Sequence, residues 1–164
     1  FHSLGYKNIY GIDPDKELIK TIPSEIAEVK IGVAQKIPYP DESFDVVFVN
    51  GALHHVPIQK KFYKEAVKEL DRVLKPGGHV FFMEPGRYWA KIFCELGANI
   101  LGVVSKTFKD WADVIYNERA ELHYFMKNYP IFRNGFKERN YNVVSDTYFI
   151  FSWMYSAQKA RRLG

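Results

Sequence analysis

Phe44-Asp45-Val46-Val47-Phe48-Val49-Asn50 is almost continuously apolar and β-branched, the composition of a strand covered on both faces in a parallel sheet. From Ile58 to Leu74 the pattern changes. Phe62, Ala66, Leu70, Val73 and Leu74 recur at helical spacing with Lys and Glu between them, and Pro76-Gly77-Gly78 stops the helix. Val80 to Met83 then reads as the next strand. Strand, helix and strand in succession predict an α/β fold with right-handed crossovers.

Upstream, Asn8 to Ile12 is a short β-rich run ended by Asp13-Pro14, and Asp15 to Thr21 is composed of helix formers. A second short strand is expected at Glu28 to Gly32. Ile37-Pro38-Tyr39-Pro40-Asp41 cannot be regular structure, because two prolines punctuate it. The first residue is Phe1 rather than Met, and Phe1 to Gly5 reads as the tail of a helix with a glycine C-cap. The expectation is a native chain that begins earlier.

Downstream of Pro85 the pattern becomes helical and aromatic. A helix is expected from near Thr107 to about Asn128, with Phe108, Trp111, Ile115, Leu122, Phe125 and Met126 as its stripe. Core packing is the default reading of such a stripe, and a ligand wall the rival. Tyr141 to Lys159, rich in Val, Tyr, Phe, Ile and Trp, reads as two strands.

The 164 residues make one domain, and 47% apolar with 26% charged residues is a globular composition. The excess charge of +4 owes much to Lys159, Arg161 and Arg162 at the end of the chain, read as a solvated tail. No basic stripe forms, so nucleic acid is not an expected partner. The single cysteine, Cys94, excludes an intramolecular disulfide and suits a reducing cytosol. It is expected to be buried in a helix. No apolar run approaches the roughly 20 residues of a membrane span, and no signal peptide is visible. The histidines, His2, His54, His55, His79 and His123, show no metal-ligand spacing.

An acidic residue at the end of a strand is the element that binds ribose hydroxyls in nucleotide-binding α/β folds, and Asp13 stands in such a place. On local grounds alone that signal is weak, and a turn residue or helix N-cap accounts for Asp13 better. Four stretches taken together say more: Gly11-Ile12-Asp13; Gly32-Val33-Ala34-Gln35-Lys36-Ile37-Pro38-Tyr39-Pro40-Asp41-Glu42-Ser43-Phe44-Asp45-Val46-Val47; Asn50-Gly51-Ala52-Leu53-His54-His55-Val56; and Arg72-Val73-Leu74-Lys75-Pro76-Gly77-Gly78. In order and spacing they resemble successive motifs of the class I S-adenosylmethionine-dependent methyltransferases, in the branch that includes the ubiquinone and menaquinone biosynthesis enzymes.

The resemblance implies a Rossmann-like, mostly parallel sheet with flanking helices, lacking the N-terminal strand and glycine-rich loop. Residues 1–85 would form the cofactor-binding part, 86–140 a helical aromatic cap and 141–164 a C-terminal strand pair. The absent strand would be the central one, between the strands ending at Asp13 and Asn50. The two edges left open would give copies of the chain a reason to associate.

The resemblance also implies S-adenosyl-L-methionine as cofactor. Asp13 would accept from both ribose hydroxyls, Val33 and Ala34 would border the adenine, Ile37 would touch its ring and Asn50 would help hold the methionine part. Family members usually carry Asp where this chain has Val33, so a contact to the adenine amino group is lost or supplied elsewhere. His55, or else His54, would act as general base, the alternative for each being packing or loop orientation. Tyr88, Trp89, Trp111, Tyr116 and Phe125 would roof the pocket of a small-molecule methyl acceptor. A non-catalytic domain with an incomplete cofactor site is the second hypothesis. An NAD-dependent oxidoreductase is the third; it fits Asp13 but not the Ile37-to-Asp45 or Asn50-to-His55 motifs.

Overall fold

The computed structural model describes residues 1–57, 59–85, 119–148 and 152–161. A 3-10 turn at His2–Leu4 ends on Gly5, whose φ of 90° is the left-handed conformation expected of a glycine cap. The strands are β1 (Tyr10–Asp13), β2 (Glu28–Ile31), β3 (Phe44–Asn50), β4 (Leu74–Pro85), β5 (Tyr141–Tyr148) and β6 (Ser152–Lys159). The helices are α1 (Lys16–Lys20), α2 (Lys60–Val73), α3 (Arg119–Asn128) and α4 (Pro130–Lys137).

Pairing follows the α/β expectation and adds a mixed edge. β1 and β2 form a parallel two-stranded sheet. β3 pairs parallel with β4, and β4-β6-β5 continues antiparallel in a four-stranded sheet of order β3-β4-β6-β5. The strands ending at Asp13 and Asn50 therefore belong to different sheets. At their amino ends they are linked by rings: Tyr10 of β1 lies 5.7 Å from Phe44 of β3, and Tyr39 packs edge-on against Phe44 at 5.1 Å. The Tyr39 hydroxyl donates to the carbonyls of Gly11 and Glu28, tying the small sheet to the same cluster.

The core lies on one face of the larger sheet. Tyr63, Ala66, Val67, Leu70 and Val73 of α2 are buried, one full stripe at helical spacing; Phe62, read from the sequence as part of it, sits half-buried at its edge. Opposite stand Val80 and Phe82 of β4 with Tyr155 and Ala157 of β6. Phe125 of α3 and Phe132 and Phe136 of α4 close the cluster, with Phe132 5.2 Å from Tyr63 and Phe136 4.9 Å from Tyr141. Pro130 opens α4, where a missing N–H costs nothing. Gly135 lets α4 approach α2, since a Cβ there would meet Val67 Cγ1 at 2.9 Å.

Two expectations need correction. The apolar run of β3 is not covered on both faces: Val46 and Phe48 are 53% and 45% exposed, while Val47 and Val49 pack against the core. Continuous apolarity shows that both faces avoid polar groups; among the described residues the buried core lies on the Val47 and Val49 side, with Phe1 against Phe48 on the other. Nor is Lys159 part of a solvated tail. As the last residue of β6 it donates to the carbonyls of Asp71 and Leu74 and pairs with the Asp71 carboxylate at 3.0 Å, pinning the sheet to the end of α2. The stripe residues Phe108, Trp111 and Ile115, the side chain of Leu122, and Cys94 lie outside the described residues.

Candidate functional site

Asp13 closes β1, and its Oδ1 accepts at 2.8 Å from the N–H of Asp15, the N-cap of α1. So the local turn role is real. It uses one of about four lone-pair sites of an ionised carboxylate, which leaves acceptor capacity for a diol. The Asp13 carbonyl accepts from the N–H of Gly32 at 3.1 Å, which brings the Gly32-Val33-Ala34 turn to the carboxyl end of β1. Gly32 is required by contact: a Cβ would lie 2.7 Å from Pro38 Cδ and 3.4 Å from Ile12 Cβ. The turn then closes through the Lys36 N–H to the Val33 carbonyl at 2.9 Å. Val33 is 42% exposed and available to a ligand, whereas Ala34 packs partly against the core.

Ile37 is placed differently from the expectation. Only 8% of it is exposed, so its side chain is committed to the core and not to an adenine ring. Its backbone is clamped by α2: the Ile37 N–H donates to Glu69 and its carbonyl accepts from Arg72, each at 2.9 Å. Arg72 also donates to the Tyr39 carbonyl, to Asp41 and to both Glu69 oxygens. The guanidinium hydrogen bond holds the Glu69 carboxyl below its ordinary value, and the same carboxylates push Arg72 up.

The second group stands at the carboxyl end of β3. Asn50 is exposed there, and Gly51, at φ 59°, turns the chain while its N–H donates to the Met83 carbonyl at 2.8 Å. The next turn, Leu53–His55, splits the two histidines. His55 is exposed. His54 is 2% exposed and its Nδ1 lies 2.8 Å from Oε2 of Glu84, itself 1% exposed on β4. Glu84 Oε1 accepts from the N–H groups of Ala52 and Leu53 at 3.0 and 2.9 Å. The two imidazoles pack with centroids 3.9 Å apart.

Glu84 was not singled out from the sequence, although a signal existed. In a strand of period two it falls in phase with Val80 and Phe82, the buried face, where an acidic residue is costly unless paired. Phe125, expected as part of a pocket roof, is fully buried against Tyr63 and Phe132. Tyr88, Trp89, Trp111 and Tyr116 lie outside the described residues. Among the described residues no three potential ligands cluster as for a metal ion, and no helix is long and apolar enough to cross a membrane.

Comparison with known proteins shows the family. Residues 1–82 match the family model described as a methyltransferase domain. A demethylmenaquinone methyltransferase of Geobacillus is 37% identical over 83 residues, covering 46% of this chain and 34% of the relative. One from Listeria monocytogenes is 28% identical over 136 residues, covering 75% and 53%. The chain thus spans about a third to a half of the curated relatives it matches. Among solved structures, an S-adenosylmethionine-dependent methyltransferase from Mesorhizobium loti superposes with a TM-score of 0.59 at 13% identity, covering 96% of this chain and 83% of the other. A second, from Methanosarcina mazei, gives 0.53 at 18% identity, with coverages of 94% and 83%.

Proposed function

The chain belongs to the methyltransferase domain family, and from that premise we propose that it transfers a methyl group from S-adenosyl-L-methionine to a small-molecule acceptor. The observation that supports this is the hydrogen bond from Gly32 N–H to the Asp13 carbonyl, which brings the Asp13 carboxylate and the Gly32–Ala34 turn into one corner at the carboxyl end of β1. Ligands of open α/β sheets collect at such strand ends. Acceptor oxygens at Asp13 suit a ribose diol, the exposed apolar side chain of Val33 suits a ring face, and the backbone N–H of Ala34 suits a ring nitrogen. Asn50 would help hold the amino-acid end.

When bound, the cofactor supplies a sulfonium methyl group that is already activated for in-line displacement. The work left to the protein is positioning and exclusion of water, with a base where the acceptor must lose a proton. His55 is that base: it is exposed in the Leu53–His55 turn that follows Asn50. His54 is buried on Glu84 and acts through its neighbour. The relatives named as demethylmenaquinone methyltransferases support an apolar, ring-bearing acceptor. A cytoplasmic location and self-association belong to the same proposal, and neither nucleic acid nor a metal is part of it.

Calorimetric titration of the protein with S-adenosylhomocysteine and with NAD tests the cofactor. The first should bind, the second should not, and Asp13→Ala should abolish the signal. Binding of NAD alone would transfer the site to the oxidoreductase reading, and binding of neither would favour a non-catalytic domain. His55→Ala should lower turnover about a hundredfold, the scale of general-base catalysis, with cofactor affinity kept. Unchanged turnover would make His55 a packing residue.

A further inference from the structure

Glu84 is an acidic side chain only 1% exposed. Val80, Phe82 and Glu84 share one face of β4 and are all buried, whereas Phe81 and Met83 on the other face are exposed. Replacing both members of a buried polar pair by apolar residues is often neutral or stabilising, so packing of the β4 face does not by itself account for the Glu84–His54 pair. What the carboxylate does is local and specific. One oxygen receives the N–H groups of Ala52 and Leu53, and the other faces Nδ1 of His54. All three partners lie in the turn between Asn50 and His55.

We infer that Glu84 is a positioning residue that fixes this turn and holds His54 in its Nδ1–H form, so that the orientation of His55 is set from the neighbouring strand. An oxygen pair already accepting from two backbone donors takes an imidazole N–H as its third, which decides the tautomer. His54 then presents a fixed ring face, and His55 rests on it at 3.9 Å. The chain of command runs from Glu84 through His54 to His55. Its consequence for turnover rests on the methyl-transfer reading, while the tautomer and ring orientation do not.

The distinguishing variant is Glu84→Gln. Its amide oxygen can still accept from Ala52 and Leu53, but its amide nitrogen must donate to Nδ1, which moves the His54 proton to Nε2. Imidazole nitrogen–proton correlation spectra of the full chain should show Nδ1–H on His54 in the wild type and Nε2–H in Glu84→Gln, with the His55 ring resonances displaced. Methyl transfer to demethylmenaquinone kept reduced should fall about ten- to hundredfold, as for outer-shell partners of functional histidines, with the affinity for S-adenosylhomocysteine within twofold. A wild-type His54 lacking the Nδ1 proton overturns the inference. So do unchanged His55 resonances in Glu84→Gln. If the wild type fails to methylate this acceptor, the functional reading loses its acceptor, and the spectra still decide the role of Glu84.

Discussion

Replacing Arg72 by methionine keeps the stem of the side chain and removes five hydrogen bonds, two to the Glu69 carboxylate, one to Asp41 and one each to the carbonyls of Ile37 and Tyr39. The Asp41 partner is 75% exposed, so that bond contributes little. The two carbonyl bonds contribute about 1 kcal/mol each net. The Glu69 pair, 17% exposed on the acid side, adds about 1 kcal/mol, for a total of about 3 kcal/mol. At a urea dependence of about 2 kcal/mol per molar, the midpoint should move down by about 1.5 M. The paired control, Asp41→Asn, should move it by less than about 0.3 M. The Glu69 carboxyl is held below its ordinary value of 4.5, so the stability it contributes is present above that pH and is lost as the pH falls through the folded value. Arg72→Met should therefore also flatten the loss of stability below about pH 4.5. Urea unfolding at pH 7 and at pH 3 to 5 measures both effects. Equal shifts for Arg72→Met and Asp41→Asn would refute the clamp on the Ile37–Asp41 loop.

Gly32→Ala drives a methyl group into the Pro38 ring and should cost about 1 to 3 kcal/mol in thermal or urea unfolding, with cofactor affinity reduced as the turn shifts; an unchanged midpoint would show that the loop gives way freely. Val33→Asp restores the acceptor common in the family and should tighten S-adenosylhomocysteine binding about tenfold, the value of one hydrogen bond to a charged group, as read by calorimetry. Tyr155 is pushed up to about 12 by burial, with the Asp146 carboxylate second. A raised phenol stabilises the fold below its unfolded value of 10.0 and loses that contribution as the pH climbs toward 12. Tyr155→Phe should thus lessen the fall in stability between pH 10 and 12, measured by urea unfolding across that range.

The parts of the fold legible in the sequence are those where periodicity and punctuation agree. The β3-α2-β4 crossover was readable from apolar spacing, although α2 ends at Val73 and Pro76-Gly77-Gly78 falls within β4, and the paired strands at the C-terminus were readable from their β-branched and aromatic composition. What escaped is what depends on neighbours distant in the chain. The buried stripe of α2 includes Val67, which meets α4 at Gly135, and Tyr63, which packs on Phe125 of α3 and Phe132 of α4. Val46 and Phe48 look buried by composition, yet which side of a sheet is packed is decided elsewhere. At the site, the positions of Asp13 and Asn50 at strand ends could be read locally. The commitment of Ile37 to the core and the separation of His54 from His55 could not, because each depends on a carboxylate about thirty residues away, Glu69 and Glu84.

The central claim is that Asp13, the Gly32–Ala34 turn and the end of β3 hold one S-adenosylmethionine-type ligand. Backbone amide spectra recorded while S-adenosylhomocysteine is added address it most directly. Resonances of residues 13–15, 32–34 and 50–52 should shift together along one saturating curve, and Asp13→Ala should remove the response at all three. Shifts confined to other parts of the chain, or separate affinities at the three segments, would contradict the account.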